Sequence, residues 1–391
     1  MVLEVAERLK FAADNPFARI QAKELEKRRQ GVEIISLAIG NPDLPTPEPI
    51  IEKLIAASRN PENSGYPPFI GKPELRQAIA EWNEKRFGTR FDPESEILPL
   101  VGSAEGPTIF ALTFINPGDL TLVPDPTFPY YNAAVSFAGG EVYSLPLLEE
   151  NDFLPDFETI PEEVARRAKA LFLNYPNNPT GAVAGLDFLR RAVEFAREYE
   201  IILCYDNPYS EITFDGFVAP SIFQVEGAKE IGLEFNSLSK SYNMAGWRIG
   251  YVLGRAELIA GMRETFSYVD TRTPTAVQEG AAELLRDPQE EKWRKQIAQI
   301  YGRRSDSFVQ ALREAGWPAT KRKGTFYLWE PVPEGFSAEG FADFLLEEVA
   351  VVVMPGTAFG PGGEGFIRLS LVLPEEKLLE AARRMGRAWN C

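Results

Sequence analysis

The sequence predicts an α/β protein: a larger unit with a mainly parallel sheet covered by helices on both faces, then a smaller α+β unit. Two observations carry this. From about residue 46 the pattern switches repeatedly between helical periodicity and short apolar runs. Those runs are apolar at nearly every position, as strands buried on both faces require, whereas a strand with one wet face would alternate. In chain order, the first 45 residues hold a helix and then Ile34-Ile35-Ser36-Leu37-Ala38-Ile39-Gly40, which belongs naturally with neither block. Helical patterns follow at 46–59, 73–87, 103–115 and 186–199, and strand patterns at 120–124, 170–175, 201–206, 235–238 and 247–253. A long charged amphipathic stretch over 285–315 leads into strands at 326–331, 351–354 and 366–371, interleaved with helices at 338–348 and 374–388. The expected division is an arm at 1–45, a large domain at 46–285 and a small domain at 286–391.

At 391 residues, 45% apolar and 25% charged, the chain is long enough for two or three domains of roughly 150 residues. With 57 acidic against 41 basic residues the formal charge is −16, so nucleic acid and anionic membranes are not expected partners. A small anion could still bind in a locally basic pocket. There is no histidine, which excludes Ser-His-Asp and Cys-His catalysis, His-ligated zinc and His-ligated haem. The two cysteines, Cys204 and Cys391, are too few for a disulfide scaffold or a four-cysteine metal site and fit a reducing cytoplasm. The N-terminus carries acids where a signal peptide is basic, and no apolar run approaches the roughly 18 residues of a membrane span. A soluble, cytoplasmic, metal-free protein is expected.

Three motifs invite a reading. Gly360-Pro361-Gly362-Gly363-Glu364-Gly365 matches the dinucleotide glycine pattern but runs into the strand pattern Phe366-Ile367-Arg368-Leu369-Ser370, where a pyrophosphate needs a helix N-terminus. Gly71-Lys72 has its upstream glycine at Gly65 and Pro73 where a phosphate loop needs Ser or Thr. Ser237-Leu238-Ser239-Lys240 is a Ser-x-x-Lys hydrolase candidate, although Lys-Thr-Gly and Ser-Asp-Asn are missing.

Three segments place polar residues directly after an apolar strand, where open α/β sheets build ligand sites. Residues 171–175 run into Pro176-Asn177-Asn178-Pro179-Thr180-Gly181, residues 201–205 into Asp206-Asn207-Pro208-Tyr209, and residues 235–239 into Lys240, with Arg248 following. Singly, each has an ordinary reading: a turn, a helix N-cap at Asp206, a surface lysine at Lys240.

Together, in this order and spacing, they resemble the pyridoxal-phosphate aminotransferases of class I and II. The resemblance runs from Gly40-Asn41-Pro42-Asp43 through Tyr66, Gly102-Ser103-Ala104-Glu105-Gly106, Pro124-Asp125-Pro126 and the three segments above to Arg368. Within the family the chain looks most like the branch that holds LL-diaminopimelate aminotransferase. The resemblance implies the aspartate-aminotransferase fold, a seven-stranded, mainly parallel sheet sandwiched by helices plus a smaller α+β domain, and pyridoxal 5′-phosphate as cofactor. It implies a homodimer with shared active sites, acting on an amino acid and a 2-oxo acid: glutamate and 2-oxoglutarate as one pair, LL-diaminopimelate, its succinyl derivative, alanine or aspartate on the other side.

Carried over residue by residue, Lys240 would form the Schiff base with the cofactor aldehyde and shuttle the Cα proton. Asp206 would pair with the ring nitrogen, and Asn178 and Tyr209 with the ring hydroxyl oxygen. Phe128 would stack on the ring. The phosphate would lie on the Ala104 and Glu105 amides with Ser237, Ser239 and Arg248, and Tyr66 would reach the other subunit's phosphate. Arg368, assisted by Gly40 and Asn178, would grip the substrate α-carboxylate, and Arg272, close to where dicarboxylate-specific relatives place a partner-subunit arginine, would read a remote acid. Asp125-Pro126 and Asn178-Pro179 are the expected cis bonds. Many relatives carry histidine beside the lysine motif or behind the aspartate; here Asn236 stands and no histidine exists, so the surroundings of Asp206 must differ. A carbon-sulfur lyase on the same scaffold stands as the alternative.

Overall fold

The computed structural model describes residues 4, 6, 8–9, 15–269 and 272–389; residues 1–3, 5, 7, 10–14, 270–271 and 390–391 lie outside them. Twelve strands are present among the described residues: β1 (Ile35–Ser36), β2 (Ile97–Leu100), β3 (Leu120–Asp125), β4 (Glu141–Pro146), β5 (Ala168–Asn174), β6 (Ile202–Asp206), β7 (Gly232–Ser237), β8 (Gly250–Gly254), β9 (Tyr327–Pro331), β10 (Val351–Val352), β11 (Met354–Pro355) and β12 (Phe366–Ser370). Seven of them form one sheet in the order β2-β8-β7-β6-β5-β3-β4. β4, β3, β5, β6 and β7 run parallel; β8 is antiparallel to β7, and β2, antiparallel to β8, runs in the direction of the other five.

The apolar strands are explained by what covers each face. Leu171, Leu173, Leu203 and Tyr205 point to one side, into a cluster with Phe188, Leu189, Ala192 and Val193 of the helix Leu186–Glu198. The alternate residues Ala170, Phe172, Cys204, Leu233 and Phe235 point to the other, against Ile109, Phe110, Tyr131, Met262 and Phe266. The side-chain period of two therefore feeds two separate cores.

A second body of packing gathers on the 25-residue helix Glu290–Glu314, whose Ile297, Tyr301, Phe308 and Leu312 meet Phe326, Leu328, Leu345, Ile367 and Leu369. Its three-stranded sheet has the order β11-β12-β9, all antiparallel. The run 34–40, unplaced by sequence, joins this body: β1 pairs in parallel with β10, and Leu37 accepts from the Ser370 amide at 2.8 Å.

Several sequence boundaries are corrected. The strand expected at 351–354 is two strands in different sheets, because the chain switches partner from β1 to β12 across Val353. The strand expected from residue 247 begins at Gly250; Ala245–Trp247 forms one 3-10 turn, and Arg248 has a left-handed φ of 54°. Leu238 opens the helical turn Leu238–Ser241, placing Lys240 on that turn. β4 leaves no apolar run in the sequence because it is an edge strand with one neighbour and mostly exposed side chains, and β2 is interrupted by Pro99, which an edge position tolerates. The Asp125-Pro126 and Asn178-Pro179 bonds are cis, as is Tyr175-Pro176. No helix of the described residues is long and apolar enough to cross a membrane.

Phe172 fills the core beneath the future site, with ring centroids 5.6 Å from Phe110 and 5.3 Å from Tyr131. Phe172→Ala is expected to cost about 3–5 kcal/mol in urea unfolding, with Phe172→Leu well below that.

Candidate active site

The carboxyl ends of β5, β6 and β7 open into one cavity of about 290 Å³, walled further by residues 39–41, the 102–104 turn and the C-terminal body. The sequence-predicted residues Gly40, Ala104, Phe128, Asn178, Tyr209, Ser237, Ser239, Lys240, Arg248 and Arg368 all line it. Asp206, the last residue of β6, lies fully buried beneath.

Asp206 accepts at Oδ2 from the hydroxyls of Tyr130 and Tyr131, the latter at 2.6 Å. Its Oδ1 is buried and has no hydrogen-bond partner among the described residues. A buried carboxylate oxygen left unmet costs free energy unless something binds it. Burial pushes the Asp206 carboxyl up to about 6, against the lowering effect of the two tyrosines. Asn174 ties the neighbouring strand ends: its Nδ2 donates to the Asp206 carbonyl at 2.8 Å and its Oδ1 accepts from the Asn178 amide at 2.9 Å.

Across the cavity, Lys240 Nζ donates to the Gly40 carbonyl at 3.3 Å. Burial first, then the Arg248 and Arg368 charges, lower its amine from the usual 10.5 to about 8, so a useful fraction is neutral and nucleophilic near neutral pH. Arg368 is buried in the middle of β12. Its Nη1 donates to Asn178 Oδ1 at 2.8 Å and its Nη2 to the Ala38 carbonyl at 2.6 Å, and its guanidinium lies over the Tyr327 and Phe359 rings at 4.3 and 4.6 Å. Its Nε is buried without a partner, and no carboxylate among the described residues pairs with it. A buried guanidinium held only by neutral groups is poised for a carboxylate brought from outside.

One end of the cavity is lined by Gly102, Ser103 and Ala104. Gly102 has a φ of 85°, and a side chain there would meet Arg248 Nη2 at 2.5 Å, so glycine is required twice over. Arg248 donates to the Ala245 and Val101 carbonyls at 2.9 and 3.0 Å. The 3-10 turn Ser103–Glu105 opens the helix Gly106–Phe114, which turns main-chain amides toward the cavity end. Gly40 is the other required glycine: an added Cβ would stand 1.9 Å from Tyr327 Oη.

Two expected residues stand elsewhere. Tyr66 is 96% exposed, outside this chain's own cavity. Arg272 does not line the cavity either; it is buried, donates to the Phe69 and Phe266 carbonyls at 2.6 and 3.0 Å, and lies 3.6 Å from the Phe266 ring centroid. Glu105 contributes its place in the turn, while its carboxylate accepts from the Val101 amide. Ser237 Oγ accepts from the Ser239 amide at 3.1 Å and Lys240 points to Gly40, so the Ser-x-x-Lys hydrolase geometry is not formed. The sequence did not single out Tyr130, Tyr131, Tyr327, Phe17 or Asn174. Tyr130 and Tyr131 lie two and three positions beyond Phe128, a usable signal; Phe17 and Tyr327 reach the cavity through tertiary packing alone.

A Schiff-base lysine candidate, a buried carboxylate with one free oxygen, an amide-lined turn with an arginine, and an arginine awaiting a carboxylate together define the site of a pyridoxal-phosphate enzyme. The chain belongs to the aminotransferase class I and II family, whose model matches residues 32–385. It is 49% identical over 384 residues to LL-diaminopimelate aminotransferase of Dehalococcoides mccartyi, and 46% identical over 385 residues to the enzyme of that name from Moorella thermoacetica, each match covering 98% of both chains. A solved structure of Thermus thermophilus aspartate aminotransferase, a single mutant, superposes with a TM-score of 0.92 at 33% identity, covering 99% of this chain and 100% of that one. The fold is therefore that of the aspartate aminotransferases, the cofactor is pyridoxal phosphate, and the reaction is amino-group transfer between an amino acid and a 2-oxo acid.

Because the Lys240 amine titrates near 8 before loading, the rate of cofactor uptake by the apo-protein should rise with pH through about 8 and level off above it. Stopped-flow absorbance after adding pyridoxal phosphate measures this; a profile still climbing steeply at pH 10 would contradict the lowered amine.

Proposed function

We propose that this enzyme takes the amino group of LL-diaminopimelate and delivers it to 2-oxoglutarate, working as a cytoplasmic homodimer. The donor rests on two relatives of that name, matched over nearly the whole chain. The single structural observation that carries the amino-acid chemistry is Arg368, a buried cation with no acidic partner among the described residues, opening on the same cavity as Lys240.

When bound, the cofactor supplies an aldehyde that captures amines and a protonated ring that withdraws electrons from the substrate Cα. The chain's residues divide the remaining work. Asp206 Oδ1 holds the ring nitrogen's proton, and an anion so placed is worth about 3–4 kcal/mol on the scale of single preorganised groups. Asn178 and Tyr209 bind the ring hydroxyl oxygen, and Phe128 covers a ring face. The 104–105 amides, Ser237, Ser239, Arg248 and the partner's Tyr66 hold the phosphate. Arg368, with Asn178 and the Gly40 main chain, fixes the α-carboxylate and so aims the Cα proton at Lys240, whose amine removes and returns it. Arg272, whose Nε and Nη1 engage the Phe69 and Phe266 carbonyls, would read the substrate's remote acid from the other subunit of the dimer.

The dimer is supported by exposed apolar side chains at Tyr66, Phe69, Tyr268 and Val269, a concentration that soluble proteins usually cover. The division into an arm at 1–45, a large domain at 46–285 and a small domain at 286–391 is likewise proposed, with the pairing of β1 to β10 joining the arm to the small domain.

The test is the visible spectrum of the loaded enzyme. LL-diaminopimelate and glutamate should each bleach the band within one half-reaction, and 2-oxoglutarate should restore it; Lys240→Ala should show neither change. A band that responds to glutamate and ignores LL-diaminopimelate would overturn the proposed donor.

A further inference from the structure

We infer that Tyr130 and Tyr131 are the positioning residues of Asp206: their hydroxyls hold one carboxylate oxygen so that the other faces the cofactor ring as an anion. The inference rests on the pyridoxal-phosphate reading but not on the choice of substrate.

The chain has no histidine to place behind this carboxylate, and no lysine or arginine among the described residues forms an ion pair with it. Two phenols stand there instead. Tyr130 and Tyr131 open the helix Tyr130–Ala138, and consecutive helical side chains ordinarily point about 100° apart. Here they converge on the single atom Oδ2, with ring centroids 4.3 Å apart and hydroxyl oxygens 3.0 Å apart. Each hydroxyl has one proton, and an ionised Oδ2 is the acceptor that uses both. Neighbouring aromatics hold the rings: Phe128 lies 4.9 Å from Tyr130 and Phe172 5.3 Å from Tyr131.

Burial and the nearby Asp206 charge push both phenols well above 10, so they stay protonated donors across the working range. The other groups facing Asp206 do not compete. Cys204 on the same strand is a buried thiol pushed up and neutral, the Tyr205 hydroxyl is spent on the Tyr175 carbonyl at 2.8 Å, and Asn174 bonds the Asp206 main chain. The side-chain donors that favour the ionised form, among the described residues, are thus these two. With Oδ2 fixed, Oδ1 is the oxygen left without a partner, as a ring N–H would need.

The sign of the consequence follows from linkage. A carboxyl whose folded-state value, about 6, exceeds its unfolded value stabilises the fold at low pH. That contribution is lost as pH rises through the folded value and is flat above it. Removing a donor raises the folded value further, so the loss extends to higher pH.

Apo-protein melting temperatures from pH 4.5 to 9 test this for Tyr130→Phe, Tyr131→Phe and Asp206→Asn, since phenylalanine keeps the ring packing. In each phenylalanine variant the Asp206-linked loss should move up by about one pH unit, a tenfold change in the acid constant, and it should vanish in the Asp206→Asn background. Cofactor retention should weaken about tenfold in the same variants. A uniform drop in melting temperature at every pH, identical with and without Asp206, would mean that the tyrosines only pack, and would overturn the inference.

Discussion

Asp206 is the constraint around which the rest of the molecule is organised. A carboxylate buried at the end of a central strand is costly, and nothing in the described chain neutralises it with a cation. The parallel sheet makes the position possible. β5, β6 and β7 end together, so that Asn174, Asp206 and the turn bearing Lys240 come to one edge, where parallel strands leave room for a ligand. The two tyrosines solvate one oxygen, and the other has no hydrogen-bond partner among the described residues. In the proposed function that cost becomes affinity for a protonated ring.

The same logic governs the cations. Lys240, Arg248 and Arg368 share one small cavity in a chain of net charge −16, and each is held by main-chain carbonyls or an amide oxygen rather than by acids. Burial first, then the two arginine charges, lower the lysine amine, which nucleophilic chemistry needs; in the proposed function the two arginines serve the phosphate and the substrate carboxylate. Electrostatic strain in the empty site and function in the loaded one are the same interactions seen with and without the anions.

The cavity also depends on the two bodies of the chain meeting correctly. Arg368, Tyr327 and Phe359 come from the C-terminal body, Gly40 and Phe17 from the first 45 residues, and the remaining wall from the large sheet. The Tyr327 hydroxyl lies 3.2 Å from that of Tyr209 while its ring supports Arg368, so Tyr209 and Arg368 share one neighbour. Gly40 is what lets that tyrosine approach.

The sequence alone marked the polar residues that follow each apolar strand and line the cavity, because a strand buried on two faces is nearly all apolar and its polar continuation is conspicuous. It also determined, through the resemblance, the family and cofactor. Its helix boundaries at 73–87 and 338–348 are recovered to within a residue, since local periodicity and caps set them. Tertiary structure decided what depends on distant partners. It split 351–354 between two sheets, attached residues 35–36 to β10, and brought Phe17 and Tyr327 to the cavity. It engaged Arg272 with main-chain carbonyls and set the Tyr130 and Tyr131 hydroxyls on Asp206. None of these leaves a local pattern, because each is fixed by a contact between residues far apart in the chain or by the convergence of neighbours on a buried charge.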